Sequence, residues 1–175
     1  MSQDHPLLSG DHASRWLGIE VDRVDDGYAQ IRMTLREEML NGFGMAHGGM
    51  IFALADTCFA LACNDLSGSK DTITVAAGAD INFISSAHQG QTLVAEGTVR
   101  AQAGRSGVYD IQVTADGALV AEFRGRSRTI PHPAQRPDSA PYADSAPGAE
   151  QQAPTRDAAV LLETSSPSVQ KFEEA

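Results

Sequence analysis

Hydrophobic and polar positions along this chain change period several times, and each change marks an element. Asp11 to Leu17 reads as a short helix capped at Asp11, a residue type that takes up an orphan N–H at a helix start, and this helix is expected to bring Trp16 to the core. Residues 18 to 25 and 28 to 36 then alternate with a period of two, and Asp26-Gly27 supplies the hairpin turn between them. From Gly48 to about residue 65 the chain is apolar on nearly every helical face, so a long buried helix is expected there, stopping at the Ser67-Gly68-Ser69 loop. Four β-type runs follow, Thr72 to Phe83, Thr92 to Ala103, Val108 to Ala115 and Ala118 to Ile130. They are divided by turn signals at His88-Gln89-Gly90, Gly104-Arg105-Ser106-Gly107 and Asp116-Gly117. One central helix followed by a meander of strands predicts an α+β fold with an antiparallel sheet wrapped around the helix.

The long helix carries one carboxylate, Asp56, in an otherwise apolar run. An ionised Asp in such surroundings is costly unless something compensates it. It is either a satisfied partner of a buried donor or a general base or nucleophile whose pKa is set by a dry cleft. The preceding loop, Asn41 to Gly49, favours the second reading. His47-Gly48-Gly49 puts backbone N–H groups at a helix start, where the first donors lack intrahelical partners and developing negative charge is stabilised. That is the chemistry of an oxyanion hole. Asp56 lies eight residues beyond Gly48, roughly 12 Å along a helix axis, so one carbonyl carbon is out of reach of both groups in one chain. If both act on one substrate, two chains must face each other antiparallel, and an obligate homo-oligomer is expected.

Taken in order, Asn41-Gly42, His47-Gly48-Gly49, Ala55-Asp56-Thr57, Ile81-Asn82-Phe83 and Gly107-Val108-Tyr109-Asp110 resemble the hot-dog-fold acyl-CoA thioesterases, and most closely the PaaI type of phenylacetic acid degradation. The likeness covers about residues 12 to 130. It implies the hot-dog fold and hydrolysis of a CoA thioester with no cofactor and no metal. Asp56 would be general base or nucleophile and Gly48 the oxyanion donor. Asn41 would orient the substrate carbonyl or the water, and His47 would chiefly fix the loop. Gly49, Asn82 and Phe83 would line the substrate site. The family further implies phenylacetyl-CoA or a hydroxylated relative as substrate, and a dimer of dimers. Where many relatives carry Arg-Pro after the Asn/Asp-Phe pair, this chain reads Phe83-Ile84-Ser85-Ser86-Ala87, so a phosphate contact from that position is not carried over.

The last strand adds a second feature. Ala121, Phe123, Gly125 and Ser127 share one face, and Glu122, Arg124, Arg126 and Arg128 share the other. Three arginines on one strand face are either a solvated face paired with neighbouring carboxylates or a basic stripe for coenzyme A phosphates, Arg124 and Arg126 joined by Arg105 and Ser106 of the adjacent turn. The alternative reading of Asn41 is that it shapes its turn, and that of Asn82 is that it satisfies backbone groups at the sheet rim.

Composition narrows the remaining classes. A net charge of −10 disfavours nonspecific nucleic-acid binding and docking on anionic membranes. The polar N-terminal lead lacks an apolar signal-peptide segment, and the apolar run is shorter than a bilayer span, so a cytoplasmic location is expected. Cys58 and Cys63, five residues apart, match neither a redox nor a zinc pattern and read as buried thiols, with Cys58 as nucleophile a distant second. From residue 131 onward the chain is rich in Pro, Ala, Ser and acidic residues and holds seven of the eight prolines. A catalytic domain of residues 1–130 followed by a disordered tail of 131–175 is therefore expected, with only Asp157 to Thr164 potentially helical. Deleting residues 136 to 175 should leave hydrolysis nearly intact. The alternatives to an aryl-acyl thioesterase are a medium-chain acyl-CoA thioesterase, a hydratase of the same fold and a noncatalytic acyl-CoA-binding protein. The hydratase signature Asp-x-Asn-Pro-x-His is absent, and no DNA-binding segment accompanies a sensor. A protein acting through its Pro-rich tail would leave Asp56 unexplained.

Overall fold

A short 3-10 helix, Pro6–Leu8, leads into helix α1 (His12–Leu17), whose N-cap is Asp11. Asp11 Oδ1 accepts the Ser14 N–H at 3.0 Å and Oδ2 accepts the Ser14 hydroxyl at 2.6 Å. The computed structural model describes residues 5–64 and 71–132. The expected Ser67-Gly68-Ser69 loop and the Asp157 to Thr164 segment lie outside them. Strands β1 (Glu20–Asp25) and β2 (Tyr28–Thr34) form the first hairpin, and helix α2 (Gly48–Ala62) precedes β3 (Thr72–Phe83), β4 (Thr92–Ala103), β5 (Ser106–Ala115) and β6 (Ala118–Pro131). The strands form one antiparallel sheet in the order β1-β2-β4-β5-β6-β3. The turns fall where the sequence signals them. Between β5 and β6, Asp116 and Gly117 both have positive φ (50° and 81°), the backbone of a tight hairpin turn that matches strand twist.

The inner face of the sheet closes on α2. Ile51, Leu54, Ala55, Cys58, Phe59 and Leu61 of the helix are buried against Ile31, Ala95, Ile111 and Phe123 of the strands. Phe59 stands edge-on to Tyr109 with ring centroids 5.4 Å apart, and Phe52 makes a similar contact with Phe123 at 5.4 Å. Gly125 makes this approach possible, because a Cβ there would lie 2.8 Å from the Phe59 ring. Along β6 the alternation is as expected, with Ala121, Phe123, Gly125 and Ser127 buried and Glu122, Arg124, Arg126 and Arg128 exposed.

Two readings are corrected. Trp16 does not enter the core: it is 53% exposed, and its ring lies beneath the Arg36 guanidinium, 5.4 Å from the ring centroid. Ser14 and Leu17 occupy the buried side of α1 instead, and Arg36 also donates to the Trp16 and Leu17 carbonyls at 2.8 and 3.1 Å. A six-residue helix has too few turns for its buried side to be read from spacing alone. Helix α2 ends at Ala62, short of residue 65, because Asn64 turns into the sheet. The Asn64 amide donates to the Ala60 and Thr74 carbonyls, and its oxygen accepts the Thr74 N–H, each at 2.9 Å. Among the described residues no helix is long and apolar enough to cross a membrane.

Candidate active site

The start of α2 is built by His47. Its backbone is extended (φ −66°, ψ 131°), and as N-cap its Nδ1 accepts the Gly49 N–H at 3.0 Å. Its carbonyl accepts the Met50 N–H at 2.9 Å and the Ile51 N–H at 3.4 Å. A helix leaves its first four N–H groups without intrahelical partners, and here three of them are taken up. The Gly48 N–H is the one left with no acceptor among the described residues. The Phe83 ring covers the Gly48 α-carbon, since a Cβ there would lie 3.1 Å from Phe83 Cζ.

The loop ahead of His47 is held by Asn41. Its Oδ1 accepts the Phe43 N–H at 2.9 Å and the Met45 N–H at 3.3 Å, while the Asn41 N–H donates to the Met45 carbonyl at 2.8 Å. With its oxygen committed to the loop, the amide Nδ2 has no acceptor among the described residues. The loop is tied to the body through Ala46 N–H to the Ala87 carbonyl at 2.8 Å and His47 N–H to the Met39 carbonyl at 2.9 Å. It lifts Phe43 into solvent, 86% exposed, and Phe83 and Ile84 are half-exposed. The sequence reading missed Phe43 and Ile84. Two glycines flanking an aromatic in a polar loop were the only signal.

Two turns along α2, Asp56 is half-buried, and its carboxylate has no hydrogen-bond donor or cation partner among the described residues. Burial raises its pKa above the ordinary Asp value. The helix is not enclosed all round as its composition suggests. Gly49 is exposed and Ala53, Asp56 and Ala60 are only partly covered, a helix side on which the sheet does not fold. The thiols are inert by contrast. Cys58 is fully buried, with Sγ directed at the Ala29 and Ala95 carbonyls at 3.4 and 3.5 Å, and burial pushes Cys63 up to about 12. Both remain protonated at neutral pH, which removes Cys58 as a nucleophile.

The other expected residues separate into two groups. Asn82 follows the period of the strand onto the face opposite Phe83, in register with Glu122. Arg124 and Arg126 share that outer face and are neutralised there. Arg124 makes a bidentate pair with Asp110 at 2.6 and 2.9 Å, and Arg126 pairs with Asp80 at 2.5 Å. Arg105 and Ser106 lie at the far end of the sheet, where Arg128 Nη1 donates to Ser106 Oγ at 3.1 Å. Ser106 is in register with Arg128 and so with Val75, eight residues from Phe83 along β3, roughly 26 Å at strand rise. Asn41, His47, Gly48, Gly49 and Phe83 thus converge at the helix start, with Asp56 farther along the same helix.

A family model for the thioesterase superfamily matches residues 43–122, a span that includes Gly48 and Asp56. The acyl-coenzyme A thioesterase PaaI of Escherichia coli K12 is 41% identical over 127 residues, 72% of this chain and 88% of the relative. The chain belongs to the thioesterase superfamily as a PaaI-type acyl-CoA thioesterase. The solved structure of E. coli PaaI superposes on this PaaI-type enzyme with a TM-score of 0.66 at 40% identity, over 71% of this chain and 88% of that one. The hot-dog fold that the resemblance implies is therefore the fold observed. A Streptococcus mutans protein solved with bound acetyl-CoA, smu.793, matches with a TM-score of 0.58 at 25% identity, over 65% of this chain and 89% of that one.

Proposed function

We propose that this thioesterase hydrolyses phenylacetyl-CoA or a hydroxylated phenylacetyl-CoA, using the Gly48 N–H of one copy and Asp56 of a facing copy. The observation that carries the reading is the unused Gly48 N–H. It is the one donor at the start of α2 without an acceptor among the described residues, and a preorganised donor at a helix N-terminus suits an oxyanion. In the reaction the substrate carbonyl oxygen accepts that N–H. Asp56 takes a proton from water as the oxygen adds to the carbonyl carbon, the C–S bond breaks, and the thiolate leaves as CoA after protonation. Direct attack by the carboxylate, giving an anhydride that water then opens, uses the same residues. Single-turnover hydrolysis in ¹⁸O-water separates the routes, since only the second can deliver an enzyme oxygen to the product acid. The Asn41 amide NH₂ helps orient the carbonyl or the water, and Phe83 forms one wall beside Gly48.

The need for a facing copy is supported by three features: the roughly 12 Å between Gly48 and Asp56 along the helix, the partly uncovered side of α2 that carries Asp56, and the unpaired outer edge of β3 at the end of the sheet. The aryl-acetyl substrate is supported by the E. coli relative, which comes from a phenylacetic acid degradation operon. Of the expected phosphate contacts we retain Arg105, whose guanidinium has no carboxylate partner among the described residues, together with Ser106.

The test is CoA release from phenylacetyl, hydroxyphenylacetyl, benzoyl, hexanoyl and acetyl thioesters by the wild type and Asp56→Ala. Fastest turnover of a phenylacetyl thioester, lost in a folded Asp56→Ala protein of unchanged mass, is expected. A preference for hexanoyl-CoA would reject the substrate assignment, and full activity in Asp56→Ala would reject the site.

A further inference from the structure

Asn41 stands in the chain's one Asn-Gly pair, and the loop around it favours a reaction that thioester hydrolysis does not use. The backbone nitrogen of the following residue and the Asn side-chain carbonyl carbon can close a five-membered ring. Glycine in that place leaves the nitrogen unshielded and the backbone free to turn toward the side chain. Gly42 is exposed, a Cβ on it would meet nothing within 4 Å, and its N–H has no acceptor among the described residues. Hydrogen bonds bias both reacting groups. Asn41 Oδ1 accepts the Phe43 N–H at 2.9 Å and the Met45 N–H at 3.3 Å, so charge that develops on this oxygen as Cγ is attacked meets two donors already in place. The Gly44 N–H donates to the Asn41 carbonyl at 3.0 Å, which draws density from the peptide group that contains the Gly42 nitrogen and makes its N–H more acidic. The leaving group is free, because Asn41 Nδ2 has no acceptor among the described residues. The other two asparagines lack this combination. Asn64 precedes Asp65, and its amide is held by the Ala60 and Thr74 carbonyls at 2.9 Å. Asn82 precedes Phe83 within β3, where pairing with Glu122 keeps the backbone extended.

We infer that Asn41 is a site of spontaneous deamidation that limits the working life of the enzyme. The Gly42 nitrogen loses its proton to water and adds to Asn41 Cγ. The Cγ–Nδ2 bond then breaks, and the amide nitrogen takes up a proton from water and departs as ammonia, leaving a succinimide. Water opens the ring at Cγ to give aspartate, or at the main-chain carbonyl carbon to give isoaspartate, whose main chain runs through the former side chain. In sum one water is consumed and one ammonia released, with no change of oxidation state. Both products replace a donor NH₂ by a carboxylate that only accepts when ionised, and both make a chain of net charge −10 more acidic. Isoaspartate also lengthens the backbone inside the bracket closed by Asn41 N–H and the Met45 carbonyl at 2.8 Å, the segment that leads to His47 and the open Gly48 N–H. The modification follows from the loop alone. Its effect on turnover rests on the role proposed above for Asn41.

Full-length wild type and Gly42→Ala, held in warm, mildly alkaline ¹⁸O-water, test it. Gly42→Ala places its Cβ in open space, at a backbone angle outside the left-handed region, so it shields the nitrogen without straining the loop. Peptide mapping is expected to find Asn41 of the wild type converted at least severalfold faster than Asn64, Asn82 or Asn41 of Gly42→Ala, with ¹⁸O in the new carboxyl group and an isoaspartate fraction. Equal rates at all three asparagines, an equal rate in Gly42→Ala, or aspartate without isoaspartate overturns the inference. Turnover of phenylacetyl-CoA by the same samples is expected to fall in step with the modified fraction, while Gly42→Ala holds its starting rate. Modification with full turnover retained supports the site and rejects the catalytic role of Asn41. Fresh wild type without phenylacetyl-CoA turnover rejects the substrate assignment, and the peptide map still decides the modification.

Discussion

The two ends of helix α2 are finished in opposite ways. At the C-terminal end the groups around Asn64 are engaged. Asn64 clasps the Ala60 and Thr74 backbones with three hydrogen bonds of 2.9 Å, its own carbonyl lies 2.9 Å from His5 Nε2, and the Cys63 N–H reaches the Phe59 carbonyl at 3.1 Å. At the N-terminal end His47 satisfies its neighbours but leaves the Gly48 N–H unused, under an exposed Phe83. Satisfied groups hold a fold together, and a donor left open in a rigid frame is available for a ligand. The contrast separates residues whose loss should cost stability from those whose loss should cost turnover.

Asp56→Ala should produce the largest effect, a fall in kcat of about 10²–10⁴ with folding and mass retained. A loss below tenfold in steady-state kinetics would make Asp56 a bystander. Gly48 can be probed without breaking the helix, because proline is tolerated at the first helical position and the extended backbone of His47 suits a residue before proline. Gly48→Pro deletes the N–H and should lower kcat by about 10²–10³, whereas Gly48→Ala keeps it and should cost much less. Both introduce the same Cβ beneath Phe83, so equal losses would point to crowding rather than to the lost donor.

At the closed end, Asn64→Ala should reduce stability by about 1–3 kcal/mol in denaturant titration, with kcat per folded molecule close to wild type. The smallest effect is the pH response of Asp56. Burial raises its folded pKa, so the folded chain holds this proton more tightly than the unfolded chain. Stability from this group is therefore greatest below the unfolded value and is lost as pH rises through the raised folded one. Activity that needs the carboxylate runs the other way, falling as pH drops through that raised value. Asp56→Asn should remove the stability term, so its advantage over wild type in thermal melts should grow with rising pH. A pH-independent difference would mean that the carboxylate is not the titrating group.

Most of the secondary structure was legible because it depends on local period and turn chemistry. The alternation on β6, the Asp116-Gly117 turn and the Asp11 cap all require only neighbours in the chain. Trp16 was misread because the partner that holds it on the surface, Arg36, is twenty residues away. The outer position of Asn82 follows from period two once β3 is a strand, but the Asp80 and Asp110 that neutralise Arg126 and Arg124 come from other strands.

By itself the sequence determined the order of elements, the acid on the long helix and the glycine at its start, since periodicity and residue type act over a few positions. Only the tertiary structure decided which donor stays open, because that depends on how His47 closes on Gly49 and how Phe83 arrives from a strand thirty-five residues on. The same holds for the pairing of Arg124 with Asp110 and of Arg126 with Asp80, which exists only once register lines up strands that are distant in the chain.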